Sequence, residues 1–286
     1  MKKAIGFFLA SVVLASCATT PERPSNKYEI LQTANQYVGA KEYGKAWQAY
    51  AEYLKLDDDR GIRERMISLM FREKDYAATL QGIEDYEKRF PITKPLALLK
   101  ADAWIRLGLL DRGLSLVGAT VGLENPSPEA IFKHAEKIES WNASPEELRT
   151  AYELYSICIA LDGGHVMAHN NRAYVLLSMK QDLDLALQDA SYPIAAFAND
   201  AASRRLAGNI LYAMGDYGKA LTRYQEALDV YGKYGEGKWK DGEIEILMGI
   251  ARSYVKLGDV EAGKRHYQKA ADLGSQLARD ERNGLK

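Results

Sequence analysis

Residues 207–227 read AGNILYAMGDYGKALTRYQEA, and residues 250–270 read IARSYVKLGDVEAGKRHYQKA. Aligned on Gly215 and Gly258, they repeat a small residue (Gly208, Ala251), a Gly-Asp pair, a second small residue (Ala220, Gly263), a tyrosine (Tyr224, Tyr267) and an alanine (Ala227, Ala270). A third copy at 34–50, ANQYVGAKEYGKAWQAY, keeps Ala34, Tyr37, Ala46 and Tyr50. The spacing predicts pairs of antiparallel helices. Gly215 and Gly258 end the first helix and Asp216 and Asp259 cap the second. Gly108, Gly113, Ala220 and Gly263 fall where paired helices cross closely, and Tyr50, Tyr224 and Tyr267 fill the space between hairpins.

This pattern resembles the tetratricopeptide repeat, whose unit is a helical hairpin of about 34 residues. Weaker copies fit at about 60–93, with Lys74-Asp75-Tyr76 at the turn, and at about 94–124, with Trp104, Leu107-Gly108 and Gly113. The next, about 128–162, has a longer turn at 141–145, where Ser144 caps a helix that begins Pro145-Glu146-Glu147. A fifth, about 165–197, carries Asn171-Arg172-Ala173 in its first helix, and Pro193 should kink or end its second. Between the last two copies Gly215 and Gly258 lie 43 residues apart, so 231–242 is an insertion. It carries Tyr231, Tyr234 and Trp239, suited either to partner contacts or to folding back on the chain's own repeats. The resemblance implies an all-α, right-handed α-α superhelix of about seven hairpins over residues 28–278, followed by a charged tail at 279–286.

The start of the chain is read separately. Lys2-Lys3, a short apolar stretch from Ala4 to Ala15, then Ser16-Cys17 form an export signal, too short for the roughly 20 residues that cross a bilayer as a helix. Leu14-Ala15-Ser16-Cys17 resembles the lipobox of bacterial lipoproteins. The resemblance implies removal of residues 1–16 and acylation of Cys17, with attachment to the outer membrane because Ala18, not Asp, follows. Residues 17–27 then form a polar, Pro-containing tether reaching at most about 35 Å.

Lys and Arg number 38 against 39 Asp and Glu, and loss of Lys2 and Lys3 would take the net charge from −1 to −3. That balance argues against a nucleic-acid partner. With Cys17 acylated, Cys158 has no cysteine to pair with and is expected in the core. His165 and His169 are four apart, as in helical metal sites, but Val166-Met167-Ala168 between them holds no carboxylate. They are expected to be solvated at a helix start, and Asp57-Asp58-Asp59 to be solvated loop acids. No phosphate loop, nucleophile elbow or carboxylate constellation stands out, so neither a cofactor nor an enzymatic site is expected.

What remains is the concave face of the stacked first helices. Transfer of the family's inward positions gives Asn170 and Tyr174, then Arg205, Asn209 and Tyr212, then Arg252 and Lys256. These side chains suit plain solvation, or a groove that reads a chain terminus or an acidic peptide through Asn and Arg hydrogen bonds. The implied function is an envelope adaptor or assembly scaffold binding a protein or peptide, similar to the tetratricopeptide lipoproteins of pilus biogenesis, barrel assembly and hydrolase recruitment. The alternative is an accessory subunit of a solute-binding or transport system that handles a small ligand. Mass spectrometry of the mature amino terminus is expected to show a lipid on Cys17, and Cys17→Ser to move the protein to the soluble fraction. A free Cys17 thiol, or cleavage elsewhere, would refute the lipobox.

Overall fold

The computed structural model describes residues 26–140, 142–234 and 240–285; Cys17, the leader, nearly all of the expected tether and Trp239 lie outside them. The described residues form fifteen α-helices and no strand. The chain divides into two compact units, with the division inside α3 at Leu69/Met70. Unit one holds α1 (Lys27–Gly39), α2 (Tyr43–Leu56) and most of α3 (Arg60–Arg72). Unit two holds α4 (Tyr76–Glu87), α5 (Lys94–Arg106), α6 (Leu110–Val121), α7 (Pro128–Ile138), α8 (Pro145–Leu161), α9 (Val166–Met179), α10 (Leu183–Ala196), α11 (Ala201–Ala213), α12 (Tyr217–Tyr234), α13 (Lys240–Lys256), α14 (Val260–Asp272) and α15 (Gln276–Asn283).

Local chemistry accounts for the boundaries. Asp75, Asp200 and Asp259 accept a backbone N–H two or three positions into their helices, and Ser144 and Glu147 close a reciprocal capping box. At the first turn of six of the seven pairs a residue takes positive φ; among the described residues the turn between α7 and α8 has none. Gly215 and Gly258 do so at 84° and 90°, and Gly108 at 82°. Gly108 is therefore a turn residue, not the close-crossing residue that the sequence suggested; a Cβ there would meet nothing within 4 Å. In other copies lysine occupies the same place, Lys41 at 59°, Lys74 at 60° and Lys180 at 52°.

Two further expectations are revised. Residues 279–283 are not tail but the end of α15, capped by Ser275. The insertion is largely absorbed by longer helices, since α12 runs for 18 residues and α13 for 17. Tyr231 is thereby buried in the core, whereas Tyr234 stays exposed. Pro193 sits inside α10, which ends three residues later.

In unit one, Ala34, Ala46, Tyr50 and Met66 form the core. In unit two, packing is regular at the carboxyl end, where α11 touches both α9 and α13 as successive first helices. Here Tyr224 is lodged between two backbones. A Cβ on Gly208 would lie 2.7 Å from its ring, and one on Gly249 2.5 Å from it. In the middle the pattern changes: α8, second of its pair, packs on α5, α7 and α9 through fully buried Leu154, Tyr155, Ile157 and Cys158.

Because lysine incurs a backbone penalty at positive φ, Lys180→Gly is expected to raise stability by about 0.5–1 kcal/mol, and Gly215→Ala to lower it by about 1 kcal/mol or more. Urea unfolding of the two variants measures both; stabilisation of Gly215→Ala would contradict the turn geometry.

Candidate functional site

The seven first-helix residues lie on α9, α11 and α13, and most are already engaged within unit two. Asn170 accepts a hydrogen bond from Ser203 Oγ at 3.0 Å and donates to Asn171 Oδ1 at 3.4 Å. Asn209 accepts from the Tyr224 hydroxyl at 2.7 Å. Arg205 is ion-paired with Glu245 of α13. Arg252 donates to Glu281 of α15 through Nε at 3.0 Å and Nη2 at 2.5 Å, and Tyr267 Oη donates to the same carboxylate at 2.8 Å. Tyr212 meets Tyr217 edge-on at 5.1 Å between ring centroids, and Lys256 lies 5.9 Å from the Tyr217 centroid. Tyr174, 45% exposed, and exposed Lys256 present most surface to a partner.

The structure thus gathers Tyr212, Arg252 and Lys256, with Tyr217, Tyr267 and Glu281, at the carboxyl end of the row. Asn170 is tied to α11 instead, through Ser203. Hydrogen bonding to Arg252 holds the Glu281 carboxyl below its usual range, and the same bond raises Arg252. Burial raises the phenols of Tyr212 and Tyr267.

One tyrosine device recurs. Tyr50, Tyr224 and Tyr267 are 2–3% exposed. Their hydroxyls reach the inner edge of the helix pair: Tyr50 donates to Asn35 at 2.8 Å, Tyr224 to Asn209, and Tyr267 to Glu281 beside Arg252. Asn35, Asn209 and Arg252 hold one position of the repeat, fifteen residues before their tyrosines. A model of the tetratricopeptide repeat matches residues 199–276. That segment is built of tetratricopeptide repeats. Among solved structures the chain is similar to MamA (residues 41 to the end) from Desulfovibrio magneticus RS-1, at 21% identity and TM-score 0.45, over 64% of this chain and 96% of that one. It is also similar to the C-terminal part of a TPR repeat-containing protein from Cytophaga hutchinsonii, at 15% identity and TM-score 0.47, over 90% and 99%. The TPR2AB-domain:pHSP90 complex of yeast Sti1 aligns at 15% identity and TM-score 0.33, over 81% and 98%. No curated protein matches the chain.

Before the matched repeats lies a buried polar cluster that the sequence did not reveal. His165 and His169 are not solvated. His165 caps α9, its Nδ1 accepting from the Ala168 N–H at 3.1 Å. His169 is buried, its Nδ1 2.7 Å from Asp189 Oδ1 and its ring stacked on Tyr192 at 3.7 Å. Asp189 also accepts a fork from Arg172, at 2.7 and 2.9 Å, and Arg172 donates to Ser156 Oγ at 3.2 Å. The available signal was Arg172 set among Ala168, Ala173, Val175 and Leu176, a helix face on which a charge needs a partner. The loop acids are also engaged: Asp57 pairs with Lys27, Asp58 with Arg63, and Asp59 accepts from the Ile62 N–H. Among the described residues no three His, Cys, Asp or Glu side chains are placed to hold a metal. Cys158 is fully buried, and burial pushes its thiol up to about 12.

Glu153 on α8 is the exception to this pairing. It is 9% exposed and its Oε2 has no hydrogen-bond partner. Burial raises its pKa well above the usual range, and the neighbouring Asp102 carboxylate adds to the shift against opposing Arg172, Arg106 and Arg149. A folded-state value raised above the unfolded one leaves stability intact below about pH 4.5 and removes it as pH rises through the folded value. Glu153→Gln is therefore expected to unfold at higher urea than the parent at pH 8, by about 1 kcal/mol or more, and to differ little at pH 4.5. Equal midpoints at pH 8 would show that the carboxyl is solvated.

Proposed function

We propose that this chain is a lipid-anchored adaptor of the bacterial envelope, held on the outer membrane through Cys17, which binds a protein or peptide partner along α9, α11 and α13. Interaction with other proteins is the usual role of the tetratricopeptide fold. The observation that carries the proposal is the side-by-side packing of these first helices, with Tyr174 and Lys256 turned to solvent. An aromatic ring and a flexible cation on one face suit an acidic peptide with apolar side chains. The lipobox-like Leu14-Ala15-Ser16-Cys17 supports the anchor, and Ala18 supports the outer membrane. The side chains on this face serve to pack and position a partner, not to carry out a reaction.

Arg205 and Asn209 already bond within the chain, so their truncation would mix binding with folding. Tyr174 and Lys256 offer the cleaner test. A photo-crosslinking residue at position 174 in intact cells is expected to trap a discrete envelope protein. In chains without the crosslinker, Tyr174→Ala with Lys256→Ala should then lower co-purification of that same protein by about tenfold at unchanged melting temperature. Undiminished co-purification would place the partner elsewhere on the chain.

A further inference from the structure

The last helix is held unlike any before it. In the first unit, the place beside a Tyr–Asn pair is taken by a long helix: Arg65 of α3 donates to Asn35 Oδ1 at 3.3 Å, and α3 buries Ile62, Met66, Ile67 and Leu69. At the carboxyl end the corresponding place beside Arg252 and Tyr267 is taken by α15, which has eight residues and buries only Ala278. Leu277 is 56% exposed. A helix of this length is marginal without tertiary support. Beyond the Ser275 cap, the core packing of Ala278 and of Leu285 just after the helix, and one bond from Arg279 to the Ala271 carbonyl, at 3.2 Å, its polar support is concentrated in the three bonds to Glu281.

The other side of the contact does not need α15 for its position. Arg252 lies on α13, among buried Leu247, Met248, Ile250 and Ala251, and Tyr267 lies on α14, in a core cluster with Leu247, Met248 and Ala251 of α13. Withdrawal of α15 would leave a guanidinium fork and a phenol aimed at one point. That is the donor set for a carboxylate, and the fork is the stronger kind of hydrogen-bonding partner for one. Glu281 fills the set from within the chain.

We propose that Arg252 and Tyr267 form a carboxylate-binding site that α15 occupies through Glu281, and that a carboxylate-bearing segment of a partner protein binds there by displacing α15. This rests on the adaptor role proposed above. It adds to that role a competition: the chain's own helix is the resident ligand, and the partner must out-compete it at high local concentration. The depressed titration of Glu281 has the same sense. The contact is full above the ordinary carboxyl range and is lost as pH falls through the folded value, so acid releases the helix.

The test uses the full-length chain and its Glu281→Gln variant, with a labelled synthetic peptide of residues 274–286 as probe. The variant is expected to bind the peptide at least about tenfold more tightly than the parent, and the added substitution Arg252→Gln to return binding to the parent's level. A peptide with an amidated end tests the side-chain carboxylate, and a free-acid peptide carrying Glu281→Gln tests the chain-terminal one. Binding by either assigns the source, whereas equal binding by an amidated peptide that carries Glu281→Gln overturns the site. Hydrogen exchange provides the fold control. Amides of α15 should exchange at least about tenfold faster than those of α13, and faster still in Glu281→Gln, with α13 unchanged. Protection of α15 equal to that of α13, or equal peptide binding by parent and variant, would refute displacement. If position-174 crosslinking captures its partner equally in both chains, the adaptor role stands and the displaceable helix fails.

Discussion

The carboxyl-terminal repeats depend on one close approach, the seating of the Tyr224 ring against the backbones of α11 and α13 at Gly208 and Gly249. No side chain can intervene at either position, so the two first helices lie as near as the ring permits. The spacing of α11 and α13, and hence of the side chains on the inner face between them, follows from that distance. Tight seating also fixes the phenol, and a buried hydroxyl without a partner would cost about 1–3 kcal/mol. The Asn209 side-chain Oδ1 accepts from it at 2.7 Å.

The same requirement makes the inner face a row of satisfied polar groups. In the second unit Asn209 accepts from Tyr224, Glu281 accepts from Tyr267 beside Arg252, and Glu245 and Glu281, from following helices, neutralise Arg205 and Arg252. Such pairing stabilises each junction modestly where it is solvent-exposed. Its larger effect would be on recognition: in the adaptor role proposed above, a partner would meet few unpaired donors and would gain affinity by packing on Tyr174, or by exchanging one carboxylate for another.

The middle of the second unit departs from the regular repeat for a related reason. With α8 in contact with α5, α7 and α9, polar side chains of α5, α8, α9 and α10 are enclosed and must find partners there. Arg172, Asp189, His169 and Ser156 do so in one network, and Asp102 does so with Arg106. Glu153 does not, and burial raises its pKa well above the usual carboxyl range. Burial of these groups is costly where an apolar core would serve.

How much of this was legible in the sequence follows from the range of each interaction. Helix pairing, the turns at Gly215 and Gly258, the cap at Ser144 and the core tyrosines are local, set by residues a few positions apart, and periodicity alone determined them. The resemblance to the tetratricopeptide repeat also implied Arg205, Asn209 and Arg252 as inward positions. The partners of those residues are contributed by helices 15–40 residues away in sequence, and no spacing rule selects Glu245 from Glu243 or Glu281 from Asp280. Likewise, Gly108 and Gly113 are both small residues next to a turn. Only the backbone shows the first at positive φ and the second against Ile105 and the Ala101 carbonyl. The sequence by itself determined that the chain forms stacked helical hairpins, because that depends on local propensity and the period of the repeat. The tertiary structure decided which polar groups hold the stack together and which stay exposed, because that depends on distances between helices that the sequence does not encode locally.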